Sequence, residues 1–357
     1  MVEAIQRKSR GTNRLAVTLG VAAVILLLVS GCASQRSGSQ DTDEPLLVWP
    51  EPPEKPRIVY LGAVSTEADL EQPASWIDGL GELLFGERSL GALVSPYAVT
   101  VDLDGVMFVA DSAAAVVHAF DLQTRAYRQF GSLSDGRSLQ KPVGLTLIND
   151  RLYVADSSLQ QICVFKKNGR FVFAFGQDRL ERPSGISSWP AKEVIYVADT
   201  AAHMVQVFDE RGAFIGSIGA RGLGPGQFNF PTHLWVDGSG RLHVSDTLNY
   251  RIQIFAADGT FLRMFGQQGD RPGNFAHPSG VAVDGSGNIY VADRQYENVQ
   301  VFDAEGRILM AFGQEGTEPG EFWLPAGVSV DSRDRIYVAD SFNKRIQIFG
   351  LLKEEGE

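Results

Sequence analysis

The sequence predicts an all-β fold, a six-bladed β-propeller of four-stranded blades, and three observations carry that prediction. A strand motif ending in aspartate recurs six times. A phenylalanine stands nine residues after each of those aspartates. The last copy is one strand short, and a segment ahead of the first copy can supply it.

The motif reads MFVAD, LYVAD, IYVAD, LHVSD, IYVAD and IYVAD, ending at Asp111, Asp156, Asp199, Asp246, Asp293 and Asp340. The spacings are 45, 43, 47, 47 and 47 residues, a period that belongs to propeller blades or helical solenoids. The β-branched and aromatic content selects strands. The phenylalanines are Phe120, Phe165, Phe208, Phe255, Phe302 and Phe349, and a glycine follows the first five aspartates by twenty residues. A proline precedes each aspartate by 14 to 16 residues, from Pro96 to Pro325. Length varies mostly between that glycine and the next aspartate, as an inter-blade loop tolerates.

Four strands, a to d, fit one unit. In the fourth copy they are 233–237, 242–245, 251–255 and 261–265, with an Asp258-Gly259 hairpin turn between the last two. Such a sheet has two apolar faces, so its neighbours must stack, and a ring closes the stack while leaving only short edges. The sixth copy stops after strand c, near residue 350. Residues 57–62, RIVYLG, match the d pattern FLRMFG of residues 261–266 and are expected to complete the last blade. Residues 63–95 fit no blade; Ser75 as a cap and apolar residues at helical spacing over 75–85 predict a short helix there.

The N-terminus reads as an address. Basic residues 7–14 precede an apolar run at 15–29, too short for a bilayer span, then Val29-Ser30-Gly31-Cys32. These last four resemble the lipobox of bacterial lipoproteins. The resemblance implies that residues 1–31 are a signal peptide and that Cys32 is acylated and anchors the chain to the lipid bilayer. With Ala33 rather than Asp after the cysteine, it points to the outer membrane if the host is Gram-negative. Residues 32–56, Ser/Gln/Asp-rich and then Pro-rich, read as a flexible tether, and 351–357 as a tail. The formal charge is −11, and removing the net +3 of residues 1–31 leaves −14, which speaks against nucleic acid as a partner.

The Pro-x-Gly-Val start, the IYVAD strand and the Asp-x-x-Asn-x-Arg-Ile-Gln-Ile-Phe run resemble NHL repeats. Copies four (Asp246, Asn249, Arg251) and six (Asp340, Asn343, Arg345) match best; copies one to three lack the Asn and Arg, and copy five has Glu297-Asn298. Three connecting loops, 219–228, 266–275 and 313–322, share Gly-x-x-Gly-x-x-Pro-Gly-x-Phe. The resemblance covers residues 57–350 and implies a propeller of the bacterial lipoprotein type, with no particular activity.

The six aspartates are expected to brace their b–c turns rather than bind metal. His233 stands where other copies have Gly144, Gly185, Gly280 and Gly327, beside the central channel. Some NHL-type propellers, the peptidyl-α-hydroxyglycine amidating lyases, hold zinc with channel histidines. Zinc needs three or four ligands, and this position offers one, so neither metal nor other cofactor is expected. Cys163 reads as a buried, inert thiol. DGSG at 237–240 and 284–287 lacks the later glutamate of a calcium loop and reads as a turn. No nucleophile elbow, Walker loop or Rossmann fingerprint occurs. The favoured reading is a binding or scaffolding module with an envelope protein partner; the alternative is a lyase or lactonase using the channel and His233. On the face of the b–c turns and d–a loops, the expected contacts are Asn249, Tyr250, Arg251, Tyr296, Asn343, Lys344 and Arg345. Phe228, Phe275 and Phe322 serve either as loop anchors or, by preference, as packing between blades.

Overall fold

A computed structural model describes residues 47–70 and 91–352, all within one unit that spans Leu46–Glu357. The signal segment, Cys32, the tether up to residue 46, the helix expected over 75–85 and the tail after 352 lie outside the described residues.

Six antiparallel sheets form the blades. The fourth runs Pro231–Val236, Leu242–Asp246, Arg251–Phe255 and Phe261–Phe265, within two residues of the sequence reading. Each of the six aspartates ends strand b, opposite the repeat proline that opens strand a, as in Pro231↔Asp246 and Pro325↔Asp340. The core lies between blades rather than within them. Six apolar clusters each join two neighbours: for example, Phe120 and Val109 of blade one meet Tyr337 and Ile346 of blade six. Alternation along strands b and c sends side chains into two clusters at once, so no blade has a complete core of its own.

Strands a surround the axis so closely that small residues are needed there. A Cβ on Gly185 would lie 2.6 Å from the Thr232 carbonyl oxygen, and one on Gly327 would lie 2.7 Å from that of Tyr97.

The sixth blade is completed by the N-terminal side of the unit. Ile58–Val64 pairs antiparallel with Arg345–Leu351, two residues beyond the predicted 57–62. The sheet then takes a fifth strand, Val48–Trp49, paired to Ile58 and Val59. The tether therefore does not extend to residue 56 as expected. Trp49 packs on Phe312 and Phe349, with ring centroids 5.9 and 5.7 Å away, and that apolar contact draws the Pro-rich segment onto the blade. The 63–95 insert begins with a 3₁₀ turn at Glu67–Leu70, and Leu93 N donates to Ser65 O, which ties its two ends together.

Ile58 and Val64 are buried in the clusters flanking blade six, and Val59 is buried as well. At roughly 1.5–3 kcal/mol for each buried side chain, deleting residues 47–64 should cost on the order of 5 kcal/mol or more. It should broaden or abolish the thermal transition followed by circular dichroism, whereas deleting 1–45 should leave it in place.

Candidate functional site

The repeated aspartates are fully buried and tie two segments together. Asp111 accepts from Val94 N and Ser95 N of the incoming d–a loop at 2.6 and 3.1 Å, and from Ala113 N and Ala114 N of the b–c turn at 3.2 and 2.9 Å. Asp156 and Asp293 repeat the arrangement with Gln140, Lys141, Ser158 and Leu159, and with Ala276, His277, Gln295 and Tyr296. Four residues after each aspartate the backbone turns left-handed with no glycine present; φ is 58° at Ala115, 56° at Tyr250 and 57° at Lys344.

In copies four and six the carboxylate keeps one backbone donor from the incoming loop, Asn229 N or Trp323 N, and side chains supply the rest. Arg251 Nε donates to Asp246 at 2.8 Å, and its Nη atoms donate to the carbonyls of Leu223, Gly224 and Gln227 in the d–a loop. Arg345 does the same to Asp340, Thr317, Glu318 and Glu321. Asn249 and Asn343 each bridge their aspartate to a loop carbonyl, Gly222 O and Gly316 O. Tyr296 takes the place of that asparagine in copy five and donates to Gly269 O at 2.7 Å. Five of the seven side chains expected to meet a partner thus have their polar groups engaged within the protein. Tyr250 is half-buried, and Lys344 alone of the seven is exposed. The sequence alone could not separate a guanidinium that caps loop carbonyls from one that faces solvent.

The three long loops share one conformation. Phe228, Phe275 and Phe322 are fully buried, packed on Phe255, Phe302 and Phe349 at 5.5, 5.7 and 5.9 Å. Gly219 has φ +83°, and a Cβ there would meet the Phe228 ring at 2.3 Å. The Asp237 and Asp284 carboxylates cap their own hairpins through Ser239 N and Arg241 N, and through Ser286 N and Asn288 N. Cys163 is buried, and burial pushes its thiol up to about 12.

At the axis, His233 of blade four stacks on Tyr97 of blade one, directly opposite in the ring, with centroids 5.5 Å apart and planes 18° from parallel. Nothing in the sequence register showed that these two rings meet. His233 Nδ1 lies 3.1 Å from Thr232 Oγ1, while Nε2 is buried without a partner. His233 also borders a channel cavity of about 190 Å³ lined with Thr100, Thr146, Ser187 and Ser188. Burial pushes the imidazole down to about 3, and the positive charges of Arg294 and His277 act in the same direction. Burial raises the Tyr97 phenol, against the pull of Arg294 and Arg182.

Arg294 follows its aspartate at a position that elsewhere carries a hydroxyl. Thr200, Thr247 and Ser341 there donate to Pro231 O, Pro278 O and Pro96 O, latching each blade to the next. Arg294 instead lines a cavity of about 440 Å³ with His277, Gln295, Glu297, Glu315 and Leu324. Beside it on the same face Trp323 and Phe342 pack with centroids 4.2 Å apart and planes tilted by 44°, yet remain 40% and 54% exposed. Among the described residues, no three His, Cys, Asp or Glu side chains converge as metal ligands would.

Blades, ring closure and axial channel define a six-bladed β-propeller. Residues 180–242 match a 6-bladed β-propeller family, and residues 275–302 and 322–349 match the NHL repeat. The protein is a six-bladed β-propeller with NHL repeats at residues 275–302 and 322–349. No curated protein matches it in sequence. Among solved structures it is similar to a Bacteroides thetaiotaomicron protein of unknown function, with TM-score 0.60, 14% identity, and 83% of this chain and 76% of that one covered. An auxiliary nutrient binding protein from the same organism gives TM-score 0.56, 12% identity, and 74% and 70% coverage. A catalytically inactive virginiamycin B lyase from Staphylococcus aureus with quinupristin gives TM-score 0.52, 12% identity, and 72% and 95% coverage. At these identities the likeness is one of fold.

Two outcomes follow from this geometry. Replacing Arg251 by Ala leaves Asp246 buried without its cation and removes the bonds to three loop carbonyls; it should cost about 3–5 kcal/mol in urea unfolding, where an exposed contact residue would cost almost nothing. His233, with an ordinary value of 6.5 and a folded value near 3, is neutral in the native state. Its folded pKa is depressed, so the native state binds fewer protons than the unfolded chain between those values. The associated stability is complete above pH 6.5 and is lost as pH falls toward 3. Wild type should therefore lose about 2 kcal/mol more than His233→Gln between pH 7 and pH 5, measured by urea unfolding at each pH.

Proposed function

We propose that this protein is an exported, lipid-anchored binding module, held to the membrane through acylated Cys32. It presents the face of its b–c turns and d–a loops to a protein partner in the cell envelope. The observation that carries the reading is the Trp323–Phe342 pair. Large aromatic side chains left exposed on a rigid loop face beside a cavity are the usual anchors of an interface. The loops that carry them are pinned by buried side chains, so the face is preorganised and little ordering entropy opposes binding. The N-terminal address supports the anchor and the compartment.

A second reading, chemistry in the channel, draws on the unpartnered Nε2 of His233 above the cavity and on the likeness in fold to a lyase. A ring that protonates only near pH 3 is a poor general base at neutral pH, which favours the binding reading.

Three measurements test the proposal. A labelled lipid precursor should enter the wild-type chain and not Cys32→Ser. Trp323→Ser with Phe342→Ser should fold normally and lose the envelope crosslinks that wild type makes; crosslinks unchanged by the double substitution would count against this face. Quinupristin incubated with the protein should be recovered intact, and conversion that depends on His233 would move the assignment to the channel.

A further inference from the structure

Blade five contains a slot built like the arginine sites of blades four and six but without its arginine. In blade four the Arg251 guanidinium lies between the 219–228 loop and strand d, bonded to the Leu223, Gly224 and Gln227 carbonyls and touching Met264 Sδ at 3.2 Å. The loop of blade five folds the same way. Phe275 N donates to Gln267 O as Phe228 N does to Ala220 O. Gln300 holds Gly273 N and Asn274 O as Gln253 holds Gly226 N and Gln227 O. At the register of Arg251, however, stands Asn298, and at that of Met264 stands Ala311. Both replacements shorten the side chain, and together they open a cavity of about 520 Å³ lined by Asp270, Asn274, Tyr296, Asn298, Leu309 and Ala311, among others. Asn298 Oδ1 is buried there without a partner. The carbonyls of Asp270, Arg271 and Asn274 occupy the places of the three that Arg251 caps, and no side-chain guanidinium reaches them among the described residues.

The slot also opens beside an unpaired edge. Strand d of blade five, Ile308–Phe312, is the outermost strand of its sheet and contributes Leu309 and Ala311 to the lining. In blade six the equivalent edge is already occupied: Val48–Trp49 pairs with Ile58–Val64, and Leu47 and Trp49 lie over Gly320 of that blade's loop. The protein thus shows on one blade how an extended segment adds to the edge beside a loop of this kind.

We propose that the blade-five slot is a binding site for an arginine side chain of a partner polypeptide, whose extended backbone runs along strand d of that blade. The planar guanidinium fits three convergent carbonyls, the Asn298 Oδ1 and the Asp270 carboxylate, acceptors that a lysine ammonium cannot meet in the same fork. The acidic net charge of the chain favours a basic partner segment. The inference rests on the binding-module reading but specifies a different place on the surface.

The test uses the intact protein and the peptide Gly-Gly-Arg-Gly-Gly, followed by amide chemical shifts. Saturable binding at millimolar peptide is expected, with shifts centred on Gly273 and Asn298. The lysine and citrulline peptides should bind at least about tenfold more weakly. Asn298→Arg, which refills the slot from within, should abolish binding and raise the melting temperature. Should that variant fail to fold, Asp270→Asn removes the exposed carboxylate at the slot and should weaken binding. Absence of saturable binding, equal binding of the citrulline peptide, or binding unaffected by both substitutions overturns the proposal. Equal affinity for N-acetyl-arginine amide and the pentapeptide overturns the edge-strand part. Failure here, with envelope crosslinks still dependent on Trp323 and Phe342, would refute the slot and leave the module reading standing.

Discussion

The buried carboxylate at the end of each strand b is the interaction on which the rest of the structure depends. It joins the loop arriving from the preceding blade to the turn leading into strand c, and it does so in the dry seam where neither segment could pair its N–H groups with water. A carboxylate accepts up to four such bonds at once, which no neutral side chain of its size can do. This explains why the residue is aspartate in all six copies. It also fixes the height at which each strand a enters, and hence the close approach of Gly185 and Gly327 around the axis.

Upon this shared clamp the copies have diverged. Blades one and two need only backbone donors. Blades four and six add an asparagine and an arginine, which reach across to a longer loop. Blade five keeps the loop and the glutamine, substitutes Tyr296 for the asparagine and gives up the arginine. The Ser or Thr that follows the aspartate in the other copies likewise becomes Arg294 in that blade alone. Two structural positions in one blade have thus been released from holding the ring, on the face where Trp323 and Phe342 are exposed next door.

The ring was legible because its determinants are local and repeated. The aspartate, the phenylalanine nine residues on and the missing last strand each follow from a spacing along the chain. The site was legible only in part. Asn249, Arg251, Asn343 and Arg345 are polar residues in turns, and nothing in their order says that the loop 24 to 28 residues earlier folds back over them. The His233–Tyr97 stack joins blades one and four across the axis, a relation that period alone does not encode. Trp49 looked like part of a linker because proline surrounds it, yet its ring finds Phe312 and Phe349. In each case a long-range apolar or carbonyl partner overrode the local pattern.

Closure of blade six has a consequence for how the protein comes to be folded. Ile58–Val64 lies near one end of the unit and its partner Arg345–Leu351 near the other, so among the described strands the seam is the pairing with the greatest sequence separation. Every other blade is a local meander that can assemble as its residues appear; the first strand cannot be satisfied until nearly the whole unit is present. Until then Ile58, Val59 and Val64 have no blade to enter, and that early apolar strand is the segment a folding chaperone would have to shield.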